Sequence, residues 1–226
     1  MEAYYIAQQI DKVMPYLLLF CIIIGAIKYK RIETHFKVLW FYLILSLVAN
    51  IGMKLLGDVF GNNLILIPLF GFFELALFTI LYMYYMNLGK LRVTILVLSL
   101  LGGGYILYEC CTVNIAEPGE FQSYARAVDA FIIVVFSMIY FFDKLSKGTD
   151  LNDSALQLNA KILVFFSLNL IFLLPMNFLI GENSINLKFY FWFAYISIVT
   201  LFYLIITFSI WKNGRTPKRL RSGSEL

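Results

Sequence analysis

The run LFGFFELALF (69–78) is apolar except for one carboxylate, Glu74. A carboxyl group in such a segment either carries a proton or faces a polar cavity that holds a partner. Three uses follow: proton binding, ligand binding, or a plain hydrogen bond that glues two helices together, worth about 0.6 kcal/mol and up to about 2. Candidate partners lie in other apolar runs. Arg126 and Asp129 are spaced i,i+3, close enough to pair on one helix face. Asn169, Tyr195 and Thr200 are polar positions deep in two later runs, with Ser46 and Ser197 at similar depth and Asn50 and Lys54 spaced as an i,i+4 pair. The expected ligand-binding or proton-binding set is therefore Glu74, Asn169, Arg126, Asp129, Tyr195 and Thr200. No catalytic constellation accompanies it. The single histidine, His35, falls in a predicted loop, away from any nucleophile. Three scattered cysteines and one histidine do not make a metal site, and no cofactor is expected. Gly102-Gly103-Gly104 has no basic or hydroxyl residue at phosphate-loop spacing, and reads as close packing or a local break.

The elements that must position these groups follow from composition. The 226 residues are 61% hydrophobic and 14% charged, with mean hydropathy +0.81. Soluble domains are nearer half apolar and a quarter charged. A membrane span needs roughly 20 apolar residues, and the sequence predicts seven: about 13–28, 38–56, 64–86, 92–109, 124–142, 162–180 and 188–211. Strict alternation, the mark of a membrane β-barrel, is missing. The start lacks a basic segment and a small-residue cleavage site, so the first run is expected to be a retained helix. The predicted fold is an all-α polytopic bundle over residues 1–211, followed by a basic tail, 212–226.

Charge orients the bundle. Fourteen of the 18 Lys and Arg residues fall in alternate loops and the tail: Lys28, Lys30, Arg31, Lys37; Lys90, Arg92; Lys144, Lys147, Lys161; Lys212, Arg215, Lys218, Arg219, Arg221. Basic loops stay cytoplasmic, which puts the N-terminus outside and the C-terminus inside after seven crossings. The opposite loop CTVNIAEPGEFQS (111–123) is acidic. Trp40, Trp211 and the cluster Tyr82, Tyr84 and Tyr85 fall near the inner interface, with Tyr105 and Tyr108 toward the outer one, and read as interfacial anchors. The tail reads as a lipid-attracting polybasic end. Nucleic-acid binding is a weaker reading, because Trp211 is its one stacking aromatic.

Residues 37–58, KVLWFYLILSLVANIGMKLLGD, align without a gap to 161–182, KILVFFSLNLIFLLPMNFLIGE. Both begin with Lys, a β-branched residue and Leu, and both end in Gly followed by an acid. Since the two helices run in the same direction, the alignment suggests a 3+1+3 arrangement, in which helices 1–3 are repeated in parallel by helices 5–7.

The stretch NNLILIPLFGFFELALFTILYMYY (62–85), with Asn-Asn-Leu ahead of a helix and an acid further on, and the ending FSIWKN (208–213), resemble a family of small bacterial seven-helix integral membrane proteins. Pro68 and Phe70 stand where that family has a histidine or tyrosine ahead of the helix-3 acid. The resemblance implies a multi-pass protein of the bacterial inner (cytoplasmic) membrane and brings no established activity.

Three functions remain open at this stage. The first is a sensing or accessory protein that binds a small molecule or lipid around a midplane glutamate and acts through a partner protein at the cytoplasmic loops. The second is a small-solute transporter, proton-coupled through Glu74. The third, a lipid-modifying membrane enzyme, is the least supported, since no acid–base constellation is present.

Overall fold

The computed structural model describes residues 2–85, 90–112, 123–148, 153–179 and 185–215. They form seven helices: α1 (Glu2–Lys28), α2 (Thr34–Phe60), α3 (Leu66–Tyr85), α4 (Lys90–Thr112), α5 (Ala125–Ser146), α6 (Ser154–Leu179) and α7 (Ile185–Asn213). No strand occurs among the described residues. Six of the helices, α2 to α7, are long and apolar enough to cross a membrane, the build of a multi-pass membrane protein. The acidic loop over 113–122, part of the loop before α6, and the tail from 216 lie outside the described residues.

Local chemistry sets the helix ends. α2 stops at Gly61, whose φ of 69° is left-handed and whose N–H donates to the Gly57 carbonyl at 3.0 Å. The turn into α3 is held by Asn62 Oδ1, which accepts from the Leu64 N–H at 2.9 Å, and by Asn63 Nδ2, which donates to the Met53 carbonyl at 3.0 Å. α1 begins at Glu2 rather than near residue 13, because a helix need not be apolar along its whole length; Pro15 lies inside it.

Six helices close a ring. α1 packs on α2, α2 on α3, α3 on α5, α5 on α6, α6 on α7, and α7 back on α1. α4 stands outside the ring, against α3 and α5. Gly102 makes that seat possible: a Cβ there would lie 2.0 Å from Ile132 Cδ1 and 3.4 Å from Leu75 Cδ2. Of the glycine triplet it is Gly102 that packs closely, and the helix is unbroken across all three. A hydrogen bond between Thr79 and Ser99, at 2.7 Å, joins α3 to α4. In the ring, α1–α2–α3 and α5–α6–α7 have the same order of neighbours and meet mainly at two seams, α3 with α5 and α7 with α1, with a lighter contact of α2 on α7.

The core is aromatic where the two triplets meet. Tyr42 of α2, Phe78 of α3, Phe166 of α6 and Phe202 of α7 form a closed circuit of four edge-to-face contacts. Centroids are 5.5 Å apart for Tyr42–Phe78, 4.8 Å for Phe78–Phe166, 6.1 Å for Phe166–Phe202 and 6.1 Å for Phe202–Tyr42. Edge-to-face pairs contribute about 0.5–1.5 kcal/mol each beyond burial. Shifting Tyr42 and Phe78 by the offset that aligns residues 37–58 with 161–182 gives Phe166 and Phe202, so the Tyr42–Phe78 contact in one triplet has its counterpart in Phe166–Phe202 in the other.

Two local expectations are corrected here. Tyr82 is no interfacial anchor: it is fully buried and donates to Asn159 Oδ1 at 2.7 Å. It stands two turns beyond Glu74 on the inward stripe of α3, which overrides the preference of tyrosine for an interface. His35 lies in the first turn of α2, not in a loop. It is buried against Phe36 and Tyr85, with Nε2 3.3 Å from Glu33 Oε2.

Candidate functional site

Glu74 faces into the ring from the middle of α3, and Arg126 and Asp129 face it from the first turns of α5. Gly71, one turn before Glu74, faces the same pair; a Cβ there would make ordinary contacts, 3.5 Å from Arg126 Cδ and 3.8 Å from Asp129 Cβ. One nitrogen, Arg126 Nη1, donates to both acids: to Glu74 Oε2, and to Asp129 Oδ2 at 3.0 Å. Glu74 and Asp129 are both 0% exposed and Arg126 is 8% exposed. Their other carboxylate oxygens, Glu74 Oε1 and Asp129 Oδ1, are buried without a hydrogen-bond partner among the described residues. The Arg126 guanidinium lies over the Phe70 ring, 4.6 Å from its centroid, a favourable cation–π geometry.

Arg126 also forms part of the wall of a cavity of about 350 Å³ inside the ring. All six ring helices line it and α4 does not. Its polar wall is Ser46, Asn50, Tyr42, Tyr195 and Tyr203 beside Arg126, and its apolar wall includes Phe70 and Trp192. Tyr195 is an electrostatic neighbour of Arg126, as the Tyr42 phenol is of Glu74. Asn50 Oδ1 is buried at this wall with no hydrogen-bond partner among the described residues, so the expected pairing of Asn50 with Lys54 is not made through that oxygen. The cavity runs along α2 from Tyr42 to Met53, toward the end of the bundle where α3 and α5 begin. Two members of the four-ring circuit, Tyr42 among the lining and Phe166 next to the lining Phe165, lie at its other end.

The remaining sequence candidates are placed differently. Asn169 is 1% exposed, with neither Nδ2 nor Oδ1 partnered among the described residues. It sits one turn from both Phe165 and Leu173, which line the cavity, but it is not itself in the wall. Thr200 donates to the Ile196 carbonyl at 2.7 Å and reaches Met14 Sδ at 3.8 Å, so it serves the seam of α7 with α1. Ser197 donates back to the Phe193 carbonyl at 2.9 Å.

A second polar cluster was missed by sequence reasoning. Asn159 of α6 accepts from Tyr82 and from Ser137 Oγ at 2.9 Å, and its Nδ2 donates to the Ser137 carbonyl at 3.0 Å. Stacked Tyr85 and Tyr140, 4.7 Å apart, adjoin it. This cluster ties α3, α5 and α6 on the far side of the aromatic circuit from the cavity. The signal was present: Tyr82 follows Phe78 at i+4, the helical repeat of a buried stripe.

No protein-family model, curated protein or solved structure matches this chain.

Proposed function

We propose that this protein carries a small solute across the membrane, with the cavity beside Arg126 as the substrate site. The observation that carries the reading is the cavity wall: it is built from both helix triplets, α1–α2–α3 and α5–α6–α7, with the aromatic circuit between them at its end. A site shared by two parallel repeats, blocked on one side, is the arrangement that rocking of one repeat against the other converts into alternating access. The triplets are read as the 3+1+3 repeat, with α4 as the linker that returns the chain to the same side. The charged-loop pattern supports a cavity mouth on the outside and a C-terminus inside, and the family resemblance supports a bacterial inner membrane.

The buried triad gives the carrier a coupling group. One guanidinium balances one carboxylate, and a surplus buried charge is costly. The second carboxyl group is neutral only with a proton on it, and Glu74 Oε1 and Asp129 Oδ1 are the triad's carboxyl oxygens without hydrogen-bond partners among the described residues. A proton shared by this pair is the coupling ion of the proposed transport cycle.

The test is uptake into proteoliposomes, with and without an imposed proton gradient, across amino acids, organic acids, amines and sugars. At least one solute is expected to enter faster than into empty vesicles, in a gradient-dependent way, with the flux abolished by Val199→Trp, which fills the cavity. If a solute raises the melting temperature of the protein but none crosses, the cavity is the binding site of a sensor instead.

A further inference from the structure

A second groove lies on the outside of the bundle, between α6 and α7, and no member of the triad lines it. Its volume is about 350 Å³. Val164 and Leu168 of α6 and Ile198, Leu201 and Ile205 of α7 line it, and most of these are exposed on the surface that faces hydrocarbon. From Lys161 to Leu168 the groove follows about 10 Å of helix, at about 1.5 Å per residue, a length suited to the upper part of one acyl chain.

The end of the groove is marked by charge. The Lys161 side chain lines it with its stem, and Nζ donates to Ser209 Oγ at 2.8 Å. Ser209 in turn donates to the Ile205 carbonyl at 2.7 Å. Lys212, one turn further along α7, is the charged neighbour of Lys161. None of the ion pairs among the described residues involves Lys161. A lysine that buries its methylenes along apolar surface and holds its ammonium at the interface is a snorkelling side chain. At the mouth of a chain-sized apolar groove, it offers a positive charge where a lipid headgroup would sit.

We propose that this groove is a binding site for an anionic phospholipid, with one acyl chain between α6 and α7 and the phosphate on Lys161. A zwitterionic lipid of the same chain length fits the groove but brings its own ammonium to the phosphate, so the selectivity is for net headgroup charge. Basic groups near an anionic leaflet are worth roughly 1 kcal/mol each, or about fivefold in affinity.

The experiment is native mass spectrometry of the detergent-purified protein titrated with phosphatidylglycerol and with phosphatidylcholine of matched chains. Phosphatidylglycerol is expected to be retained in preference, and Lys161→Gln to reduce that preference about fivefold. Lys147→Gln is the control, because Lys147 is exposed and already paired with Asp143 at 2.7 Å; it should leave the preference unchanged. Leu201→Trp, which fills the groove, should lower retention of both lipids. Equal retention of the two lipids by the unaltered protein would overturn the proposal. So would equal losses in Lys161→Gln and Lys147→Gln, the mark of diffuse surface attraction. A change in oligomeric state with Leu201→Trp, at unchanged lipid retention, would instead identify the groove as a protein interface.

Discussion

At the residue scale, the triad is asymmetric, and its variants should differ accordingly. Arg126→Gln leaves Glu74 and Asp129 buried side by side without their cation, and removing one partner from a buried charge cluster costs about 3–5 kcal/mol. Glu74→Gln keeps the Arg126–Asp129 bond and removes the surplus acid, so its cost should stay near that of one lost charge-assisted hydrogen bond, about 1.5–3 kcal/mol. Thermal or denaturant unfolding in detergent micelles would rank the two. The double variant should be more stable than the sum of the single losses implies, since both substitutions remove the same Arg126–Glu74 bond. A Glu74→Gln variant less stable than Arg126→Gln would contradict this arrangement. Part of the triad was legible in the sequence: an acid inside LFGFFELALF had to have a partner or a proton, and Arg126 with Asp129 had the spacing of neighbours. That Glu74 meets this pair rather than Asn169 or Thr200 depends on α3 packing on α5, a long-range contact no local pattern encodes. Thr200 illustrates the loss: a hydroxyl deep in an apolar helix satisfies itself on its own backbone as easily as it reaches a ligand.

At the scale of elements, some helix seams in this bundle rest on glycine, and glycine-to-alanine should have opposite signs at a seam and on an open helix face. A Cβ at Gly25 would lie 2.1 Å from Trp40 Cδ1 and 2.7 Å from Trp40 Nε1. That ring is fixed by its own hydrogen bond to the Ile22 carbonyl at 2.9 Å. Gly25→Ala should therefore push the indole out of the α1–α2 seam and destabilise by about 1–3 kcal/mol. Gly104, inside α4, has nothing within 4 Å of its would-be Cβ. Gly104→Ala should be neutral or stabilising by up to about 1 kcal/mol through helix propensity. Comparing the two melting temperatures checks the contrast, and a loss at both positions would count against the described seat of α4. Helix number and type were readable from run length alone, because backbone in lipid must satisfy itself within each segment. Which face of each helix turns inward was harder to read, because hydrocarbon and protein core are equally apolar. Tyr82 shows this: its composition suited an interface, whereas its i+4 spacing from Phe78 placed it in the core.

At the scale of the whole molecule, the two triplets share one cavity and one aromatic circuit. The alignment of 37–58 with 161–182 carried the clue, yet the meaning of the offset emerges only from the ring, where Tyr42 and Phe166, and Phe78 and Phe202, occupy matching corners. The most direct test of the transport reading needs no knowledge of the solute. Ser46 lines the cavity one turn from Tyr42, and Cys21, Cys110 and Cys111 are all free thiols that can be replaced first. In that background, Ser46→Cys would be exposed to a membrane-impermeant maleimide from each side of oriented vesicles in separate reactions. Alternating access predicts labelling from both sides, with reaction from either side diminished by Val199→Trp. Labelling from one side only, at every time and under every proton gradient, would contradict the carrier and leave a binding pocket with a permanently closed floor.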